Sequence, residues 1–118
     1  MKAKDLLGRH GETLAVAFLE TQGMRIVDRN WRCSEGEIDI VALDGDTLVI
    51  AEIKTRKNLA YGHPFEAVGA AKLARLHRLG LSWCRDHELR ALRRRVDVVG
   101  IIDDGVGEPQ LEHLRGVG

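Results

Sequence analysis

The stretch Gly36-Glu37-Ile38-Asp39-Ile40-Val41-Ala42-Leu43-Asp44-Gly45-Asp46-Thr47-Leu48-Val49-Ile50-Ala51-Glu52-Ile53-Lys54 reads as two strands joined by a turn. Glu37 to Leu43 alternates, which places Ile38, Ile40 and Ala42 on one face. Asp44-Gly45-Asp46 is a hairpin signal. Thr47 to Lys54 follows, and its run Leu48-Val49-Ile50-Ala51 is apolar on both faces, as expected of a central, covered strand.

That covered strand ends in charge. Glu52 and Lys54 are two residues apart and so share a face. Placing them beside an apolar run is costly unless the charges are paired or bound to a metal. Whether Asp39 joins them depends on register. A four-residue loop, 44–47, pairs Leu43 with Leu48 and hence Asp39 with Glu52. A two-residue loop pairs Glu37 with Glu52 and leaves Asp39 diagonal to it. Both put Asp39, Glu52 and Lys54 on one face, whereas a three-residue loop turns Asp39 to the other side.

Outward from the hairpin, residues 5–22 read as a helix, with Leu7, Leu14, Ala15, Phe18 and Leu19 at three- and four-residue steps and Gly23 as its stop. Gly8 and Gly11 each cost about 1 kcal/mol in a helix interior. They signal an early kink or a close neighbour. Met24 to Trp31 reads as a first strand and Ser34-Glu35-Gly36 as a turn. Residues 65–85 read as a second long helix, with Gly80 a point where it could break. The basic stretch 86–95 fits no clear element. Val96 to Ile102 is a further buried strand, and Gln110 to Leu114 a short last one. The order α-β-β-β-α-β, with one more strand, predicts an α/β layered fold.

The chain has 118 residues, 44% hydrophobic and 31% charged, the profile of a single globular domain spanning 1–118. No apolar stretch approaches the roughly 20 residues that cross a bilayer. The polar start at Met1-Lys2-Ala3-Lys4-Asp5 is unlike a signal peptide. Cys33 and Cys84 lack zinc-ligand spacing and read as reduced cytoplasmic thiols. Net charge is zero, but it is unevenly spread: residues 54–95 carry 11 Lys/Arg against three acids. Such a segment can neutralise phosphates without a basic pI, or can be an ordinary solvated helix face.

Two carboxylates about 5 Å apart repel by about 3 kcal/mol at an effective dielectric of 20. Lys54 offsets part of this, and a divalent cation reverses it. Oxygen ligands with open water positions suit Mg²⁺ or Mn²⁺, and Lys54 beside them can orient water or stabilise phosphate charge. The plainer alternative is a cross-strand ion pair. Glu12 is a third carboxylate candidate. It lies on the helix 1 face of Ala15 and Leu19, or else is an ordinary exposed glutamate.

An ordered set of motifs runs through most of the chain: Gly8-x-x-Gly11-Glu12, Asn30-Trp31-Arg32, Gly36-Glu37-Ile38-Asp39, Glu52-Ile53-Lys54-Thr55-Arg56, Glu66-Ala67-Val68-x-x-x-Lys72 and Val96-Asp97-Val98-Val99-Gly100. In these the chain resembles the YraN-type bacterial family, itself similar to the archaeal Holliday-junction resolvases and the PD-(D/E)XK nuclease superfamily. The superfamily's strand-2 proline is replaced by Ile38.

The resemblance implies a restriction-endonuclease-like αβββαβ core, a bound Mg²⁺ or Mn²⁺, and endonucleolytic cleavage of DNA, on branched or damaged structures. It implies Asp39, Glu52, Lys54 and Glu12 as catalytic residues. The metal would be held by Asp39, Glu52 and the Ile53 carbonyl. Arg56 and Lys72 would contact phosphate, where otherwise Arg56 is a salt-bridge partner and Lys72 a solvated helix lysine. DNA is the expected partner, and a homodimer is an option that would reach two strands. Trp31 is expected in the core or at a sheet edge, His10, His63 and His77 at the surface, and Asp97 as a structural partner of a basic residue. A second class stays open: a non-catalytic nucleic-acid-binding module, or a subunit of a DNA repair or recombination complex.

Overall fold

A computed structural model describes residues 3–60, 62–90 and 93–118, with the side chains of the first helix described from Arg9 onward. The expectations for Leu7 and Gly8 therefore lie outside the described side chains. The elements are α1 (Ala3–Thr21), β1 (Arg25–Cys33), β2 (Gly36–Asp44), β3 (Thr47–Arg56), a 3₁₀ turn (Pro64–Ala67), α2 (Ala70–Asp86), β4 (Arg93–Ile102) and β5 (Gln110–Leu114).

The strands form one sheet in the order β1-β2-β3-β4-β5. The β3–β4 pair is parallel and the other three pairs are antiparallel. A parallel pair needs a long crossover, and α2 supplies it. The result is a mixed sheet flanked by helices, the α/β layered class that the sequence predicts.

Each helix covers one face. On one side Ala15 and Leu19 of α1 pack on Ile40, Ala42, Val49, Ala51, Ile53, Val99 and Ile101. On the other, Leu76, Leu79 and Trp83 of α2 pack on Ile38, Val41, Leu48, Ile50 and Val96. Residues Leu48 to Ala51 are buried throughout, because β3 has a strand on each side and a helix on each face.

Four expectations need correction. Residues 65–85 are not one helix. Pro64 opens a 3₁₀ turn, Val68 is extended, and Gly69, also extended, caps a separate α2. Gly80 does not break α2; a Cβ there would lie 3.0 Å from Ile50 Cγ1, so its bare backbone lets helix and sheet approach closely. The basic stretch 86–95 is partly strand, since Arg93, Arg94 and Arg95 pair with Thr47, Leu48 and Val49. Finally, Ile38 does not share a face with Ile40 and Ala42 but packs on the α2 side. The change of face falls at Asp39, which stands opposite Asn30, whose φ is +52°.

Gly11 meets the other expectation held for it. It is buried, and a Cβ there would collide with the Thr55 hydroxyl. No helix among the described residues is long and apolar enough to cross a membrane.

Candidate functional site

The β2–β3 hairpin turns at Gly45, φ +61°, with Asp44 opposite Thr47 and Leu43 opposite Leu48. This is the register that sets Asp39 across from Glu52. The turn is tighter than the 44–47 loop, because Asp44 and Thr47 extend the ladder by one pair. Cross-strand pairing then ends at Ile40↔Ala51. One step further, the Asp39 carboxylate takes the place of a backbone acceptor: Ile53 N–H donates to Asp39 Oδ2 at 2.9 Å. Asp39 thus sits where two strands part, its position fixed by the backbone of β3.

Glu52 is 5% exposed. Two ammonium groups reach its Oε1, Lys72 Nζ at 2.9 Å and Lys54 Nζ at 3.7 Å. Lys54 comes from the same strand two residues on, and Lys72 from the first turn of α2, which lies over this face. Lys72 is therefore not a solvated helix lysine. Without these partners a carboxylate this deep would be strongly disfavoured.

The electrostatics follow from crowding and burial. Asp39 is pushed up to about 7, first by burial and then by the charge of Glu52, with Glu12 and Glu37 adding to it and the Ile53 N–H opposing. Burial lowers Lys54, and the hydrogen bond and charge of Lys72 lower it further, against the pull of Glu52 and Asp39. Burial also works against the charge on Lys72, but its hydrogen bond to Glu52 and that residue's charge outweigh it, and the net shift is upward.

Glu12 is half-buried on the sheet-facing side of α1 and close enough to add to the field at Asp39. Its partner is Arg29 of β1, at 4.0 Å, which nothing in the pattern of the sequence singles out. Arg56 lies two residues past Lys54 in β3, half-buried and without a carboxylate partner among the described residues. The salt-bridge alternative for Arg56 therefore finds no support there.

Asp97 stands apart. It is fully buried and accepts from Arg95 Nε at 3.0 Å and Gly116 N–H at 3.0 Å, with His113 Nε2 at 2.8 Å. It is a structural acid, as expected. Trp31 is half-buried against the α2-side core. His63 caps the 3₁₀ turn and lies 3.1 Å from Glu112, and His10 lies 3.6 Å from Asp103. His77 departs from a plain surface role, since its Nε2 is buried without a partner among the described residues.

The residues present fit a hard divalent cation by their chemistry. Two carboxylates stand on neighbouring strands, half-buried Asp39 and buried Glu52, and the surroundings of Asp39 favour its protonated form. A cation at such a place offsets the charge of both. No group of three or more His, Cys, Asp or Glu is arranged to hold a metal among the described residues. The donors on offer are thus two carboxylates, backbone carbonyl and water. A concavity of about 450 Å³ at the far end of α2, lined by Leu81, Cys84, Arg85 and Leu89 among others, shares no residue with this cluster.

Fold and site together define an α/β protein with a buried carboxylate–lysine cluster where its central strands diverge. The chain belongs to the uncharacterised protein family UPF0102, which matches residues 11–101. It is 80% identical over 118 residues to a UPF0102 protein of Arthrobacter sp. (strain FB24), covering all of both chains. It is 79% identical over 117 residues to one from Paenarthrobacter aurescens (strain TC1), covering 99% of this chain and 97% of that one. A UPF0102 protein of Beutenbergia cavernae is 52% identical over the full length of both. The family assignment is the one the sequence motifs point to, and the matched span contains every residue of the cluster.

Proposed function

We propose that this chain is a divalent-metal-dependent endonuclease acting on DNA. One observation carries the reading. Glu52, almost wholly buried, holds two lysine ammonium groups on a strand whose neighbour brings Asp39 beside it, with a carboxyl displaced to about 7. A structural ion pair needs one cation and gains nothing from a second carboxylate. A metal-assisted phosphodiester site uses paired carboxylates for a cation and a nearby ammonium for phosphate charge.

Asp39 and Glu52, with the Ile53 carbonyl, would hold Mg²⁺ or Mn²⁺, which when bound supplies Lewis-acid charge to a phosphoryl oxygen and to water. The remaining roles belong to the chain. Lys72 neutralises Glu52 and keeps it extended toward Asp39. Lys54, its ammonium made more acidic by burial and by Lys72, is suited to donate a hydrogen bond to a phosphate oxygen as charge builds there. Arg56, next along the same strand, is free to take an adjacent phosphate as a fork of donors. Glu12, from α1, adds a third carboxylate for water or a second cation.

The test is cleavage of duplex, branched and single-stranded DNA in Mg²⁺ or Mn²⁺. Activity is expected in the wild-type chain and lost in both Glu52→Ala and Lys54→Ala, with circular dichroism unchanged. Cleavage that survives either replacement would remove the site from consideration.

A second reading rests on a separate observation. Arg75, Arg78 and Arg85 on α2, and Arg90, Arg93 and Arg94 after it, are exposed and have no carboxylate partner among the described residues. Such a surface suits a non-catalytic nucleic-acid-binding module or a subunit of a repair complex. It predicts salt-dependent DNA binding without cleavage, with log K falling linearly against log salt.

A further inference from the structure

Asp39 stands opposite a backbone irregularity on the neighbouring strand. β1 and β2 pair Arg29 with Ile40 and Trp31 with Ile38, so Asn30 lies opposite Asp39. Asn30 has φ +52°, a left-handed conformation that side-chain-bearing residues enter only at a cost. Of the described non-glycine residues, Glu88 shares this sign of φ. Glu88 follows the end of α2, where a left-handed residue commonly closes a helix. Asn30 is inside a strand, where extended backbone is the rule.

The consequence is a change of face on both strands. Arg29 reaches toward Glu12 on the α1 side, while Trp31 packs in the α2-side core. Ile40 packs under α1 and Ile38 under α2. In a regular strand residues two apart share a face. Here the row formed by Asn30 and Asp39 rotates, β2 leaves the β3 ladder after Ile40↔Ala51, and the Asp39 carboxylate turns to the Ile53 N–H. The Asn30 side chain is exposed and belongs to neither core cluster. What the position demands is therefore a backbone conformation, and asparagine tolerates this one better than most residues other than glycine.

We infer that Asn30 is a positioning residue. Its left-handed backbone sets the rotation that directs Asp39 toward Ile53 and Glu52. The geometric claim stands on the strand pairing, while its meaning for function rests on the reading of Asp39 as a metal ligand.

The experiment compares Asn30→Gly with Asn30→Val, a β-branched residue that resists positive φ. Two quantities are read: hydrogen exchange of the Ile53 amide relative to other β3 amides, and Mn²⁺ affinity by calorimetry. Glycine should preserve both. Valine should expose the Ile53 amide selectively and weaken Mn²⁺ binding by about tenfold or more, the scale on which groups behind a metal ligand act. Where the valine variant does not fold, Asn30→Ala is read by the same two criteria. An unchanged Ile53 amide overturns the inference. So does a uniform loss of protection throughout β3, which would make Asn30 a general stability determinant. If the wild-type chain binds no Mn²⁺, the nuclease reading fails, and the Ile53 amide alone still decides whether Asn30 aims Asp39.

Discussion

Lys72 on α2 and Glu52 in β3 meet at 2.9 Å, so the crossover helix places a positive charge directly on the buried carboxylate of the sheet's central strand. That ammonium and a divalent cation are alternatives for the same negative charge. Lys72→Met keeps most of the stem and removes the charge. Stability in chelator should fall by about 1 kcal/mol, well below the cost of breaking a fully buried pair, because Lys54 stays and Lys72 is partly solvated. Mn²⁺ affinity should rise severalfold. Thermal melts in chelator and titration calorimetry check both signs, and a variant that matches wild type in both would detach Lys72 from the site.

Asp39 gives a pH dependence whose sign is fixed. Burial and the charge of Glu52 push its carboxyl up to about 7 in the folded chain from an ordinary 3.8. Between those values the folded state holds a proton that the unfolded state has lost, so stability falls as pH rises through this interval. Asp39→Asn removes the penalty and keeps an oxygen to accept the Ile53 N–H. Its melting temperature should exceed that of wild type above pH 7, by the equivalent of about 1–2 kcal/mol once partial solvation is allowed for. The advantage should shrink as pH falls and vanish below about pH 4. Binding of Mn²⁺ to wild type should strengthen with pH over the same interval, since cation and proton compete. A flat difference between the two chains from pH 4 to 8 would contradict the burial of this carboxyl.

The same residue marks the boundary of what the sequence makes legible. Leu48 to Ala51 reads correctly as a central strand because burial on two faces leaves an unbroken apolar run. Leu43 opposite Leu48 is one of the registers that a short turn at Gly45 allows. Period-two alternation, however, assumes one backbone conformation throughout, and a positive φ at Asn30 violates that without altering the pattern of residue types. Ile38, next to the row of Asn30 and Asp39, faces the α2 side while Ile40 faces the α1 side. The break before α2 was hidden because Val68 continues the apolar spacing while Gly69 alone carries the signal. Glu52 and Lys54 were readable as neighbours two apart. Lys72 reaching Glu52 was not, since it depends on how a helix lies over a sheet.

Gly11 and Thr55 form the contact that brings α1, and with it Glu12, down onto β3. A Cβ at position 11 would collide with the Thr55 hydroxyl. Alanine is the better helix former by about 1 kcal/mol, so on propensity alone Gly11→Ala should stabilise. Overpacking against a β-branched side chain in a covered strand typically costs about 1–3 kcal/mol and should win. Adding Thr55→Ala removes the obstructing atom and should restore most of the loss, giving a favourable coupling in a double-mutant cycle. Additive effects of the two changes would show that α1 does not depend on this approach.

Asp97 separates acids of the fold from acids of the site. It is fully buried, lies on β4, and gathers Arg95, His113 and the Gly116 N–H, so it ties β5 and the residues after it to the sheet. Removing it takes one of the two carboxylate partners of Arg95, with Asp44 remaining, and leaves the His113 ring and the Gly116 N–H without their acceptor. Asp97→Ala should therefore cost about 1–3 kcal/mol, the range for polar groups that lose a hydrogen-bond partner. No hydrogen bond or ion pair joins it to Asp39, Glu52, Lys54 or Lys72 among the described residues, and its ladder partner Ala51 packs on the α1 side of the sheet, so Mn²⁺ affinity measured well below the lowered melting temperature should stay within about twofold of wild type. Denaturant unfolding gives the first quantity and calorimetry the second. Loss of metal affinity without loss of stability would reverse the assignment and place Asp97, not Asp39, in the site.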